Sequence, residues 1–149
     1  MKFLLLLIIL TISTHVVADK LNAENIYINS EELIITSNPS VSEFIGMAHA
    51  RNGENQFWGD KILVYFNDSN EIELISIIDN VKIRNNEEEI TGDFAEYTLK
   101  LEEIKVTGNV ILTKGSSILT GDELIVDLLN STSIIKSSNN NQVSAKIIR

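Results

Sequence analysis

The feature that most limits what this chain can become is a spacing repeated three times along it. Gly46-Met47, Asp79-Asn80 and Gly108-Asn109 each stand thirteen residues ahead of a Gly-Asp pair, namely Gly59-Asp60, Gly92-Asp93 and Gly121-Asp122. Successive units are offset by 33 and then 29 residues, enough for two or three strands with their turns. Two and four residues beyond the start of each unit lie Ala48 and Ala50, Val81 and Ile83, Val110 and Leu112. Sixteen, eighteen and twenty residues beyond it lie Ile62, Val64 and Phe66, then Ala95, Tyr97 and Leu99, then Leu124, Val126 and Leu128. All are apolar or aromatic, whereas the interleaved residues, His49 and Arg51, Lys82 and Arg84, Leu63 and Tyr65, Glu96 and Thr98, Ile125 and Asp127, are mixed. A period of two is the mark of strands, whose successive side chains point to opposite faces. One face of every unit is therefore apolar and the other partly wet.

Each Gly-Asp pair follows a short polar stretch and is expected to open a long strand, with glycine relaxing a bend and aspartate bonding nearby amides. Outside the units, Ile26 to Ile28 and Leu33 to Thr36 read as opening strands. Val143 to Ile148 reads as a closing strand after the polar turn Ser137 to Gln142. The spacing of turn signals predicts an all-β antiparallel meander of about a dozen strands, with no amphipathic helix. Composition agrees: the 44% hydrophobic fraction comes largely from Ile, Leu and Val, with a single proline. A chain of 149 residues suits one domain with a real core.

The first residues carry a different signal. Lys2 precedes the apolar run Phe3 to Ile12, and Val16-Val17-Ala18 supplies a processing site, so residues 1–18 read as a signal peptide cleaved after Ala18 and 19–149 as the mature domain. The alternative is a retained anchor, although the fifteen residues from Phe3 to Val17 fall short of the roughly 17 to 25 that a spanning helix needs. Removing residues 1–18 takes away one lysine and no acid, so the net charge of −9 becomes −10. Such a surface repels nucleic acid and phosphate-rich membranes. With no cysteine, the exported domain must be held by burial alone.

No catalytic constellation is present. After the first 18 residues one histidine remains, His49, with no cysteine nucleophile and no Gly-x-Ser-x-Gly turn, so the chain does not read as an enzyme. The three Gly-Asp aspartates lack the oxygen-rich neighbours a hard cation requires, and no cofactor motif appears. The Glu87-Glu88-Glu89 run reads as a solvated turn, and Trp58 as a cap on one end of the core in preference to a sugar platform.

The motifs Ile-Thr-Gly-Asp-Phe-Ala-Glu-Tyr at 90–97, Val-Thr-Gly-Asn-Val-Ile-Leu at 106–112 and Leu-Thr-Gly-Asp-Glu-Leu at 119–124 resemble the OstA-like family of periplasmic lipopolysaccharide-transport bridge proteins. The opening Ile-Tyr-Ile-Asn-Ser-Glu at 26–31 and the closing Val-Ser-Ala-Lys-Ile-Ile at 143–148 extend the likeness over nearly all of the chain after residue 18. The first unit departs from it, with Ala48 and Ala50 leaving more room than larger side chains. The resemblance implies a folded-over antiparallel sheet, a β-jellyroll or β-taco, with an apolar groove for lipid A acyl chains. It carries lipid contact onto Ile26, Ile28, Ile83, Tyr97 and Leu99.

Joined with the repeat, this reading expects Ile26, Ile28, Val64, Phe66, Val81, Ile83, Tyr97, Leu99, Val110, Leu112, Val126 and Leu128 to line the groove. Lys61, Lys82, Arg84, Lys105 and Lys114 could meet the charged headgroup, ordinary solvation being their simpler role. The edges Ile26 to Ile28 and Val143 to Ile148 are expected to add strands from other molecules. The implied partners are lipopolysaccharide, inner-membrane and outer-membrane components of the bridge, and further copies head to tail. Two other readings stand beside this one: a membrane-anchored inner-membrane relative of the same bridge, and a structural β-repeat module whose apolar faces close into a dry core.

Overall fold

Alternation of apolar and polar residues makes these segments strands, and the polar turns between them make consecutive strands antiparallel neighbours. The computed structural model describes residues 25–138 and 141–148, so the signal segment expected at 1–18 lies outside the described residues. The strands are β1 (Ile26–Asn29), β2 (Glu32–Ser37), β3 (Ser40–Asn52), β4 (Asn55–Phe66), β5 (Ile72–Arg84), β6 (Glu88–Thr98), β7 (Glu103–Lys114), β8 (Ser117–Asp127), β9 (Thr132–Lys136) and β10 (Ser144–Lys146). The described residues hold ten strands where about a dozen were expected, and β3 to β8 each run 11 to 13 residues. One turn of 3-10 helix, Leu99–Leu101, links β6 to β7.

All ten strands form a single antiparallel sheet in which β3 to β8 follow chain order. One margin is made by β1 and β2, which pair with successive halves of β3. The other is made by β9 and β10, which pair with successive halves of β8. The two margins do not pair with each other, so the sheet is unclosed. The expected edges are thus half of each margin, with β2 and β9 supplying the rest; the closing strand expected over Val143 to Ile148 is limited to Ser144–Lys146, the residues that pair with β8.

A seam of bulges crosses the sheet. On β3, β5 and β7 two consecutive residues take left-handed backbone angles: Gly46 (φ 84°) and Met47 (φ 42°), Asp79 (58°) and Asn80 (51°), Gly108 (78°) and Asn109 (48°). Each pair stands opposite a single residue of the next strand, Asp60, Asp93 or Asp122. Two residues against one is a bulge, which bends a strand and increases its twist. Carboxylates tie the seam laterally: Asn80 Nδ2 donates to Asp60 Oδ2 at 2.8 Å, Asn109 Nδ2 to Asp93 Oδ2 at 2.7 Å, and the Ser138 amide to Asp122 Oδ2 at 2.7 Å. The Gly-Asp pairs therefore sit inside β4, β6 and β8 rather than opening them.

The bend folds one face inward. Ala48, Ile62, Val106 and Leu124 are completely buried there, and the core cluster draws residues from all six central strands. Gly59, Gly92 and Gly121 lie at the seam because no side chain fits. A Cβ on Gly92 would meet Val106 Cγ1 at 2.5 Å, and one on Gly59 would collide with Ile77 Cγ2.

Candidate functional site

The inward face encloses an apolar cleft of about 190 Å³. Residues on both sides of the seam line it: Ala50, Phe57, Ile83 and Ile90 on the hairpin-tip side, and Ile62, Ile75, Ile77, Ala95, Tyr97, Ile104 and Val126 on the other. Ile26 of the margin strand β1 also borders it. At the hairpin tips its lining turns polar, with Asn52, Asn55, Asn85 and Glu88. Glu88 is held by Lys114 at 2.8 Å. The Tyr97 phenol has its pKa raised, first by burial and second by the charge of Glu102, so it presents a neutral hydroxyl to the cleft.

The twelve residues expected to line a groove divide three ways. Ile26, Ile83, Tyr97, Val126 and Leu128 border the cleft. Val64, Val81 and Val110 are buried in the core cluster beside it. Ile28, Phe66, Leu99 and Leu112 pack partly buried against that cluster. Two placements differ from the expectation of continuous strands. Leu99 falls in the 3-10 turn, and Leu128 lies beyond the end of β8 and is 44% exposed, because the alternation stops where the backbone leaves the ladder.

The count from each unit's start overlooked Ile75, Ile77, Ile104 and Val106. They lie two and four residues before Asp79 and Gly108, so the same count run backwards finds them. It also overlooked Phe57 and Ile90, which together with Leu119 stand eleven residues into their units.

Trp58 does not cap the core. Phe57 faces inward and Trp58 lies on the outer face, where its ring stacks on His49 at 4.8 Å and 10° between planes. The position twelve residues into the other units holds Thr91 and Thr120, the polar signal that assigns it outward. Of the cations weighed as headgroup contacts, Lys61 pairs with Glu43, Lys105 with Glu123, and Lys114 with Glu87 and Glu88. Lys82 and Arg84 lie over the Trp58 ring instead. Among the described residues no group of acids and histidines has the arrangement of a metal site, and no helix is long and apolar enough to cross a membrane.

The sequence profile of the family described as "LptA/(LptD N-terminal domain) LPS transport protein" matches residues 27–132. No curated protein matches the chain in sequence. Among solved structures, the crystal structure of LptH from Pseudomonas aeruginosa, titled the LptA homologous periplasmic component of the conserved lipopolysaccharide transport device, superposes with a TM-score of 0.75. The match is 8% identical and covers 85% of this chain and 96% of that one, a likeness of fold.

Proposed function

The chain belongs to the LptA/(LptD N-terminal domain) family of LPS transport proteins, and on that premise we propose that it is a periplasmic carrier holding lipid A acyl chains in its apolar cleft. The observation that carries the reading is the cleft itself, an apolar interior with a polar mouth inside a sheet whose margins are not joined. Each methylene hidden from water is worth about 0.8 kcal/mol, so a chain of about ten is worth roughly 8 kcal/mol before ordering costs. An apolar cleft thus substitutes for a membrane while the lipid crosses water.

The size of the cleft adds a requirement. At about 190 Å³ it only modestly exceeds the roughly 150 Å³ cavity that admits one benzene. A lipid with several acyl chains therefore enters only as the two walls part. Parting them breaks no ladder hydrogen bond between margins, since β1 and β2 share none with β9 and β10.

The margins also suit assembly. Leu33, Ile34 and Ile35 on β2 and Ile134 on β9 are exposed beside unpaired backbone, a surface that favours strand addition. On this reading further copies and the inner- and outer-membrane components of the bridge dock there, and the sugar headgroup stays outside the cleft.

Mass spectrometry of lipid extracted from the purified protein is the direct test, paired with a photo-crosslinking residue at Ile83. The expected result is acylated saccharide lipid in the extract and an adduct at Ile83. Lipid-free protein that also gives no adduct after incubation with lipopolysaccharide would leave a dry β-repeat module as the better account.

A further inference from the structure

The outer face gathers two of the cations weighed as headgroup contacts, Lys82 and Arg84, into a cluster with residues that the carrier reading does not use. Both described arginines, Arg51 and Arg84, the single tryptophan, Trp58, and the one described histidine, His49, gather with Lys82 and Tyr27 on strands β1, β3, β4 and β5. Aromatic contacts organise them: Arg51 lies 5.5 Å over Tyr27, while Lys82 and Arg84 lie 4.6 and 5.3 Å over Trp58. His49 flanks Trp58 from β3 and Lys82 flanks it from β5, so the indole serves as a brace and is not open for a sugar to stack on. The buried Nε2 of His49 has no hydrogen-bond partner.

Charge makes the cluster unusual. In a chain of net charge −9, Lys61, Lys105, Lys114 and Lys136 are all neutralised by glutamates. Arg51, Lys82 and Arg84 make no ion pair among the described residues; the exposed Lys100 and Lys146 make none either, but they stand singly on other elements. Glu89 stands directly across from Arg84 on β6, yet the guanidinium lies over Trp58 instead. Three cations held in place by rings and left without carboxylates form a prepared anion site.

Position supplies the occupant. Arg51 and Arg84 both stand opposite Gln56, so their backbones are two strand spacings apart, roughly 10 Å. Each directly neighbours an asparagine of the cleft's polar mouth, Asn52 or Asn85. Ala50 and Ile83, which line the cleft, are the residues just before them on the same strands. The cations are therefore the outer lip of the wall whose inner side is apolar.

We propose that Arg51, Lys82 and Arg84 form a headgroup site that receives the phosphates of an acylated saccharide lipid whose hydrocarbon lies in the cleft. This inference rests on the carrier reading and adds to it a phosphate-selective lip. Arginine suits the role because its planar fork meets phosphate oxygens two at a time.

The test uses the full chain and two probes, an acylated diphosphoryl disaccharide lipid and the same lipid stripped of both phosphates, each in mixed micelles. Trp58, being the single tryptophan, reports binding by its emission. The wild type should prefer the phosphorylated lipid by about tenfold or more, the scale of one or two charge-assisted hydrogen bonds. R51Q/R84Q should lose most of that preference and keep its affinity for the dephosphorylated lipid. Should that variant fail to fold, R51K/R84K decides, since it keeps charge and loses the fork and should lower the preference several-fold. A preference unchanged in the folded variant overturns the inference and leaves the carrier reading standing. A Trp58 response to inorganic phosphate as strong as to the lipid overturns the headgroup assignment in favour of a general anion site. A wild-type chain that binds neither lipid overturns the carrier reading and this inference with it.

Discussion

Replacing Gly92 by alanine tests whether the seam is shaped by close packing. The added Cβ would stand 2.5 Å from Val106 Cγ1, with the carbonyl oxygens of Gly108 and Thr107 at 3.3 and 3.4 Å. Val106 is completely buried and branched at Cβ, so it has little freedom to turn aside. Overpacking of this kind costs about 1–3 kcal/mol, and the stiffness of Val106 argues for the upper half of that range. Val106→Ala alone removes two carbons, about 1.6 kcal/mol of transfer energy, and somewhat more with the cavity left behind. Combined, the two substitutions remove the clash they share, so the double variant should be more stable than additivity predicts by about 1–2 kcal/mol. Urea unfolding followed by circular dichroism measures all four corners of the cycle. Additivity within about 0.5 kcal/mol, the tolerance for independent sites, would refute the packing account of this glycine.

Ala50→Phe puts a ring into the cleft, and lipid recovered with the purified protein should fall several-fold while the β-sheet circular dichroism is kept; unchanged lipid content would remove the cleft from the carrier reading. Ile35→Lys and Ile134→Lys place charge on the two margins and should weaken self-association in light scattering, with undiminished association arguing for another contact. The Glu123 pKa is lowered, first by its hydrogen bond to Lys105. Its contribution to stability is therefore present above its ordinary value of 4.5 and lost as pH falls through the lower folded value. Glu123→Gln should flatten the decline of the melting temperature on the acid side of that value, and an unaltered acid limb would assign the loss to other carboxylates.

How far the fold was legible depended on the frame used for counting. The inward face of β4 runs Phe57, Gly59 and then Ile62, Val64 and Phe66, so continuous alternation breaks at the bulge. Counting from each unit's first residue survives that break, which is why the spacing alone puts Ile62, Val64, Ala95 and Leu124 on one face. Glycine and aspartate signal turns and bulges alike. Only strand pairing distinguishes them, and it moved the Gly-Asp pairs from strand starts to strand middles. Lys82 and Arg84 were legible as cations but not their grouping with Arg51 around Trp58, for a related reason: Arg51, Trp58 and Arg84 are far apart in the chain and meet only because β3, β4 and β5 are neighbours in register.

The bulge recurs at the same height on each successive hairpin, and the sheet never meets itself. Closed barrels fix their strand number by circumference, but this ribbon has no such quota. Its growth is quasi-one-dimensional, each hairpin contacting mainly its neighbours, as in solenoids. A relative with one more or one fewer hairpin could keep the alignment of every remaining strand, so the length of the trough can be revised in whole modules without redesigning the rest.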